Sequence, residues 1–118
     1  MRAKDAVGRY GEQVAARFLT DAGFRIIERN WRCRYGELDI VARDGATLVF
    51  CEVKTRSSLA YGDPAEAVAG AKAQRLRRLA ARWLEEHPGP WAEVRIDVVS
   101  VVRRRQGAAE VRHLRAAV

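Results

Sequence analysis

Three carboxylates and one lysine fall within residues 36–57 at spacings that suit phosphate chemistry. Glu37 and Asp39 stand two positions apart, and the same spacing separates Glu52 from Lys54. Because alternate side chains of a strand point to the same face, each pair shares a face if its segment is extended. Carboxylates bind divalent cations, and a lysine beside the cation can position or help to deprotonate a water molecule. The set therefore predicts hydrolysis of phosphodiester bonds.

The two segments that carry these residues are predicted to be the strands of a hairpin. Gly36–Arg43 and Thr47–Lys54 are both dense in Leu, Ile, Val and Phe, which indicates burial on both faces. Asp44-Gly45 lies between them, and both residue types tolerate the positive φ that a two-residue hairpin turn requires. With these two residues at the centre of the turn, Arg43 pairs with Ala46.

This register brings the four chemical groups to one face of the hairpin. Glu37 falls opposite Glu52, and Asp39 falls opposite Phe50. Cross-strand partners point the same way, so Lys54 joins the three carboxylates. Asp39 and Glu52 are then diagonal neighbours, with Cβ atoms roughly 7–8 Å apart. A slip of one residue would place the two pairs on opposite faces.

A divalent cation fits the predicted face, so we expect Mg²⁺ or Mn²⁺ as the cofactor. Mg²⁺ prefers oxygen ligands and keeps several water molecules, so Asp39, Glu52 and the backbone carbonyl of Val53 would suffice to hold it. Three carboxylates beside apolar strands would repel one another without a cation. The alternative is a surface face on which the acids and Lys54 form ordinary salt bridges and only solvate the hairpin.

The composition restricts the partner and the compartment. A chain of 118 residues makes one domain, residues 1–118, with a modest core. The net charge of +7 and the pI near 10.2 favour a polyanionic partner, nucleic acid before an anionic membrane. The two cysteines, Cys33 and Cys51, cannot form a four-cysteine zinc site. Residues 1–23 lack the apolar segment of a secretory signal, and no apolar run reaches membrane-spanning length, so we expect a cytoplasmic protein with no membrane partner.

The remaining segments predict helices and strands on either side of the hairpin. Their ranges are a helix over residues 3–22, a strand at Phe24–Trp31, a helix from Asp63 to Glu86 with an interruption near Gly70, and strands at Val94–Val102 and Glu110–Leu114. The order α-β-β-β-α-β-β predicts an α/β fold with a mixed five-stranded sheet flanked by helices. The helical crossover before the fourth strand favours parallel pairing there. Glu12 lies at the margin of the first helix's apolar stripe, where an ordinary boundary glutamate would also lie.

Several short segments together match a known family pattern. They are Gly11-Glu12, Asn30-Trp31-Arg32, Gly36-Glu37-Leu38-Asp39, Phe50–Arg56, Tyr61-Gly62, Lys72 with Arg75-Leu76, Arg95–Val99 and His113-Leu114. On these residues nearly the whole chain resembles the YraN-like family of small bacterial proteins. The Asp39 and Glu52-Val53-Lys54 segments resemble the PD-(D/E)XK signature. The resemblance implies a restriction-endonuclease-like fold and a relation to Holliday-junction resolvases.

The resemblance also implies roles for individual residues. Asp39 and Glu52 are metal ligands, and Lys54 is the catalytic lysine. Resolvase-like members use a glutamate of the first helix, which corresponds to Glu12, as a metal or water ligand. Glu37 is the glutamate of the family's Gly-Glu-x-Asp pattern and acts either as a further metal ligand or as a partner of the ligands.

Two groups of side chains are expected to contact the phosphates of a nucleic acid. One group brackets the hairpin: Arg32, Arg34, Tyr35 and Arg56. The other group opens the second helix and alternatively only solvates it: Lys72, Gln74 and Arg75. Away from this surface, Asp97 is expected in a buried salt bridge with an arginine, and His87 and His113 are expected to be structural.

These observations predict a metal-dependent endonuclease of DNA, with branched or structured DNA implied by the resemblance alone. Contacts are expected mainly with phosphates, since the sequence shows no base-reading element. One alternative is a nucleic-acid-binding module that is inactive alone or needs a partner for cleavage. A second alternative is an interaction adaptor with a structural metal site. Symmetric cutting of two strands would require a homodimer.

Overall fold

The predicted order of elements is confirmed by a computed structural model, which describes residues 6–57 and 70–118. The elements are α1 (Ala6–Asp21), β1 (Arg25–Cys33), β2 (Gly36–Asp44), β3 (Thr47–Arg56), α2 (Ala71–Glu86), β4 (Glu93–Val102) and β5 (Glu110–Leu114). Gly70, where the sequence predicts an interruption, has a φ of 58° and directly precedes α2. The helix start predicted at Asp63 and the Tyr61-Gly62 segment lie outside the described residues.

The five strands form one mixed sheet in the order β1-β2-β3-β4-β5. β3 and β4 pair in parallel, as the helical crossover predicts, and the other neighbouring strands pair antiparallel. β3, which carries Glu52 and Lys54, is therefore the central strand. None of the helices in the two described ranges is long and apolar enough to cross a membrane.

Each helix covers one face of the sheet and closes one hydrophobic cluster. On the α1 face, Ala15 and Leu19 pack in a cluster with Ile40 of β2 and Val49 of β3. On the other face, α2 contributes a cluster whose members include Leu76, Leu79, Trp83 and Phe50. Because both faces of the central strands are covered, the middle residues of β2 and β3, Ile40–Ala42 and Leu48–Cys51, are all apolar and buried. Asp39 and Glu52 adjoin these apolar runs and are consequently held close to the core.

The turn of the β2–β3 hairpin differs from the prediction by one residue. Asp44 pairs with Thr47, so Gly45 and Ala46 are the central residues, and the predicted pairing of Arg43 with Ala46 is wrong. Gly45 has a φ of 61°. Glycine with positive φ at the first central position is the pattern of a type II′ turn, which needs no positive φ at Asp44.

The corrected register changes which residues face each other but keeps the faces of β3. The last regular pair toward the candidate site is Ile40 with Cys51. One further step places Asp39 opposite Glu52, where the predicted register had Phe50. The carboxylates are therefore direct neighbours across the strands and not diagonal ones.

A second irregularity lies where β1 and β2 approach the candidate site. Ile40 packs in the α1 cluster, whereas Leu38, two positions earlier on the same strand, packs with Trp31 in the α2 cluster. Regular alternation would keep Ile40 and Leu38 on one face, so the alternation breaks at Asp39. The neighbouring strand breaks at Asn30, which has a φ of 56°. Both strands are thus kinked at the same level of the sheet.

Candidate active site

Asp39 and Glu52 form the centre of the candidate site. Asp39 is 9% exposed, and its Oδ2 accepts a hydrogen bond of 2.8 Å from the backbone N–H of Val53. The Glu52 side chain is 11% exposed. Burial raises the pKa of the Glu52 carboxyl, and the negative charge of Asp39 raises it further, although Lys72 acts in the opposite direction. Two adjacent carboxylates in a largely buried position are a strong attractor for a cation.

Lys72 supplies a positive charge at this position. Its Nζ lies 2.7 Å from Oε2 of Glu52. Lys72 is the second residue of α2, so the start of α2 reaches over β3 to the acidic pair. The sequence predicted a phosphate contact for Lys72, whereas the structure places its ammonium group on a carboxylate of the site.

Lys54 shares the face of Glu52 because it is two positions further along β3. It is half-buried and stands beside the fully buried Ser100 of β4 in the parallel register. Glu52 and Lys54 thus share one face of β3, as the sequence predicted, whereas Asp39 lies directly opposite Glu52 and not diagonal to it.

Glu12 reaches the other side of the sheet from α1. Its side chain is 2% exposed, and its Oε1 accepts hydrogen bonds from Arg29 at 3.2 and 3.3 Å and from Asn30 at 2.8 Å. The neighbouring Gly11 lets α1 approach β3 closely, because a Cβ there would overlap the Thr55 side chain. The kink at Asn30 therefore supplies a partner for Glu12 that the sequence reading missed. Its only sequence signal is that asparagine tolerates a left-handed backbone.

Glu37 does not share the face of Glu52 and Lys54, and that prediction is wrong. Because alternation breaks at Asp39, Glu37 turns toward α1, where Oε2 lies 3.0 Å from Nε of Arg32. It lines a cleft of about 470 Å³ together with Glu12 and residues of β1 and α1. The described residues that line it are Arg9, Glu12, Gln13, Arg29, Asn30, Arg32 and Glu37.

The four acids thus divide between two places: Asp39 and Glu52 are adjacent, whereas Glu12 and Glu37 line the cleft on the α1 side. Within residues 6–57 and 70–118, no three Asp, Glu, His or Cys side chains converge as a metal-binding group. A cation held by Asp39 and Glu52 would take its remaining ligands from a backbone oxygen such as that of Val53, from water and from substrate. That ligand set suits Mg²⁺ or Mn²⁺, which keep several oxygen ligands from outside the protein.

Sequence comparisons match the chain over most of its length. A family model described as "Uncharacterised protein family UPF0102" covers residues 11–101. The chain is 68% identical over 115 residues to a UPF0102 protein of Beutenbergia cavernae, covering 98% of each chain. It is 63% identical over 117 residues to a UPF0102 protein of Frankia alni, covering 99% of this chain and 98% of the relative. This chain belongs to the UPF0102 family.

UPF0102 is the YraN-like family of the restriction-endonuclease-like superfamily, so the resemblance read from the sequence is confirmed. The residues matched by the UPF0102 model begin at Gly11 and end at Val101. They include Glu12, Asp39, Glu52 and Lys54. The β4–β5 connection and β5 lie beyond the match.

The predicted phosphate-contacting residues of this UPF0102 chain divide into surface and interior positions. The guanidinium groups of Arg34 and Arg78 lie 5.0 and 5.4 Å from the centre of the Tyr35 ring, and Arg75 lies beside Gly36. Arg32 and Gln74 are also exposed. These residues gather at the β1–β2 turn and the start of α2, on the β2 side of β3.

Arg56 departs from that expectation. It is 8% exposed although it is the last residue of β3. A buried guanidinium cannot lie along a nucleic-acid backbone, so the predicted surface contact does not fit its position. The prediction rested on the position of Arg56 beside the hairpin, whereas its burial depends on residues from other parts of the chain.

The UPF0102 chain also contains a buried ionic network away from the site. Asp97 is fully buried and accepts hydrogen bonds from Arg95 at 2.9 and 3.0 Å, and its Oδ2 lies 2.7 Å from His113 Nε2. Burial alone would raise the pKa of Asp97, but the bonds from His113, Arg95 and the backbone of Ala116 lower it overall. The predicted salt bridge is confirmed.

Both histidines have partners in the fold. His113 packs edge-on against Phe18 and Phe24 beside Asp97. His87 stacks on Trp83, with ring centres 3.9 Å apart, and its Nδ1 lies 2.8 Å from the Trp83 carbonyl. These contacts agree with the structural roles expected for them.

Proposed function

We propose that this UPF0102 chain is a Mg²⁺- or Mn²⁺-dependent endonuclease that hydrolyses phosphodiester bonds of DNA. The observation that carries the proposal is the contact between the acidic pair and the central strand. Asp39 bonds the backbone of β3 at Val53, next to Glu52, while Lys54 follows on the same face. A partly buried acidic pair with an adjacent lysine at a sheet centre has no evident use in folding.

Each residue has a part in the proposed reaction. Asp39, Glu52 and the Val53 carbonyl would hold the cation. When bound, the cation lowers the pKa of a coordinated water and offsets charge on the phosphate. Lys54 orients the attacking water and stabilises the negative charge that develops on the oxygens of the attacked phosphate.

Glu12 and Glu37 would act from the cleft on the α1 side. Glu12 follows the resolvase-like pattern as a further ligand or as the residue that positions the water. Glu37, held by Arg32, acts as a supporting partner and not as a ligand of the same cation, because it faces away from Glu52.

DNA is the proposed substrate because the chain combines this acidic centre with a net charge of +7. Binding by arginines to phosphates carries little sequence information. We therefore expect affinity that falls steeply with salt and depends on shape more than on sequence. Branched or otherwise structured DNA is the preferred substrate by family resemblance, and cutting of paired strands would use a homodimer.

A second candidate is a DNA-binding module that needs a partner before it can cleave. Two contacts favour it. Glu52 is engaged by Lys72 at 2.7 Å, and Glu12 is engaged by Arg29 and Asn30. A partner or bound DNA would then have to rearrange these contacts before catalysis.

The test is incubation of the purified chain in Mn²⁺ with linear, nicked, flapped and four-way DNA. We expect cleavage of at least one structured substrate, abolished by Glu52→Gln, while DNA binding in EDTA is retained. Binding of all substrates without cleavage would support the second candidate. Cleavage by Glu52→Gln at the parent rate would overturn the proposed active site.

A further inference from the structure

The sheet topology places two turns at the same end of the sheet as the last residues of β3, the proposed catalytic strand. β1 and β4 run parallel to β3, while β2 and β5 run antiparallel to it. The β1–β2 turn, the end of β3 and the β4–β5 connection therefore lie at the same end of the sheet. The β1–β2 turn lies on the β2 side of β3 and carries the Arg34 and Tyr35 cluster. The β4–β5 connection lies on the other side.

Three consecutive arginines open the β4–β5 connection. Arg103, Arg104 and Arg105 are all exposed, and with Ser57 they line a cavity of about 370 Å³. The cavity is thus walled by guanidinium groups and by the residue that follows β3. The UPF0102 match ends before this turn, and the residues first expected to contact phosphate do not include it.

The turn that contains Arg103, Arg104 and Arg105 is fixed to β3 and to α1. The backbone N–H of Arg103 donates a hydrogen bond of 2.8 Å to the carbonyl of Arg56, one step beyond the Arg56–Val102 pair. The Arg103 guanidinium lies 5.6 Å from the centre of the Tyr10 ring. Its position relative to Lys54 is therefore set by the sheet, which is the requirement for a binding element that works together with a catalytic residue.

The charge of this turn is only partly offset. Glu110 is bonded by Arg104 and by Arg112, each at 3.1 Å. One carboxylate thus serves two guanidinium groups, and among the residues that the structure describes no acid lines the cavity. The opposite end of the sheet differs in charge, since Asp44 and Glu93 lie at the strand ends there.

We propose that Arg103, Arg104 and Arg105 form a phosphate-binding site for the DNA backbone on the β4 side of the catalytic strand. Three strand spacings separate this turn from the β1–β2 turn, or about 14 Å, with Lys54 between them. A DNA strand lying across this end of the sheet would contact arginines on both sides of the scissile phosphate. Guanidinium groups can bind phosphate through two parallel hydrogen bonds. This inference rests on the proposed function, because it names the substrate path of the same site.

The experiment compares DNA binding in EDTA over a salt series for three variants and the parent. R103Q/R104Q/R105Q removes the charges of the turn, and R103K/R104K/R105K keeps them. R17Q/R25Q/R115Q removes three exposed arginines near the opposite end of the sheet as a matched control. We expect the glutamine variant of the turn to bind at least about tenfold more weakly, with a salt slope reduced by about 2 to 3. The lysine variant and the control should each retain most of the affinity.

Each result separates this inference from the nuclease assignment. Equal losses in the turn variant and the control would overturn the site, because the effect would then be one of net charge alone. An unchanged salt slope in a folded turn variant, as judged by circular dichroism, would also overturn it. Failure of the parent to bind DNA would overturn both proposals. Cleavage is not needed for the measurement, so an inactive parent that shows the expected loss would support the site and not the nuclease.

Discussion

The ammonium group of Lys72 lies 2.7 Å from the carboxylate of Glu52, next to the carboxylate of Asp39. The ion pair joins the start of α2 to the central strand. Without Lys72, two neighbouring, largely buried carboxylates would face each other, and no other basic residue in the described part of the chain forms an ion pair with Glu52. The ammonium group of Lys72 thus balances the negative charge that a bound cation would otherwise balance.

Replacing Lys72 by Met is expected to destabilise the metal-free protein. The pair is partly exposed, so we expect a loss of about 1–2 kcal/mol in the free energy of unfolding, less than for a fully buried pair. Urea denaturation in EDTA measures the loss. Mn²⁺ should then stabilise Lys72→Met more than it stabilises the parent, since the cation no longer competes with the ammonium group. Equal stabilisation of both proteins by Mn²⁺ would contradict this role.

Glu37→Gln should leave Mn²⁺ binding largely intact, whereas Asp39→Asn should abolish it. The reason is that Glu37 turns toward Arg32 and the α1 cleft, while Asp39 adjoins Glu52. Titration calorimetry with Mn²⁺ distinguishes the two variants. Equal loss of binding in both would restore the single acidic face that the sequence predicted.

Gly11→Ala should destabilise the fold by about 1–3 kcal/mol, because the added methyl group overlaps Thr55 in a buried contact between α1 and β3. A double-mutant cycle with Thr55→Gly tests the contact. The combined variant should lose less than the sum of the two single changes. Strict additivity would show that the methyl group is accommodated elsewhere.

Asp97→Asn should cost about 3–5 kcal/mol at neutral pH, because it leaves Arg95 and His113 without their buried carboxylate partner. The folded-state pKa of Asp97 is lowered from its usual value near 3.8. The ionised carboxylate therefore contributes stability above that value, and the contribution is lost as the pH falls through the lower folded-state pKa.

The difference in stability between parent and Asp97→Asn should accordingly narrow below about pH 4. Denaturation midpoints measured from pH 7 down to pH 3 give this profile. Glu110→Gln is the matched control, because its arginine partners are exposed and its loss should change stability little at any pH. A gap for Asp97→Asn that stays constant with pH would assign its effect to packing alone.

The sequence predicted the elements well because their signals are local. Apolar strands, the Asp44-Gly45-Ala46 turn region and the two helical patterns each reflect residues close in the chain. The face of Glu52 and Lys54 followed from alternation within one strand. The parallel pairing of β3 with β4 followed from the helical crossover between them.

The remaining features depend on contacts between distant residues. The bond from Val53 to Asp39 and the left-handed Asn30 break the alternation that the sequence reading assumed. The burial of Arg56 and the contact of Lys72 with Glu52 depend on elements packed from elsewhere in the chain. The turn register failed for a local reason, since glycine at the first central position allows a turn shifted by one residue.

The kink at Asn30 has a consequence for self-association. β1 is an outermost strand, and an outermost strand with a regular row of free backbone groups can recruit strands of other molecules. Here the pairing of β1 shifts between Ile26 and Glu28, and Asn30 then departs from extended geometry. The outer edge is interrupted twice within nine residues. The distortion that brings Asn30 to Glu12 therefore also makes the strand a poor template for aggregation.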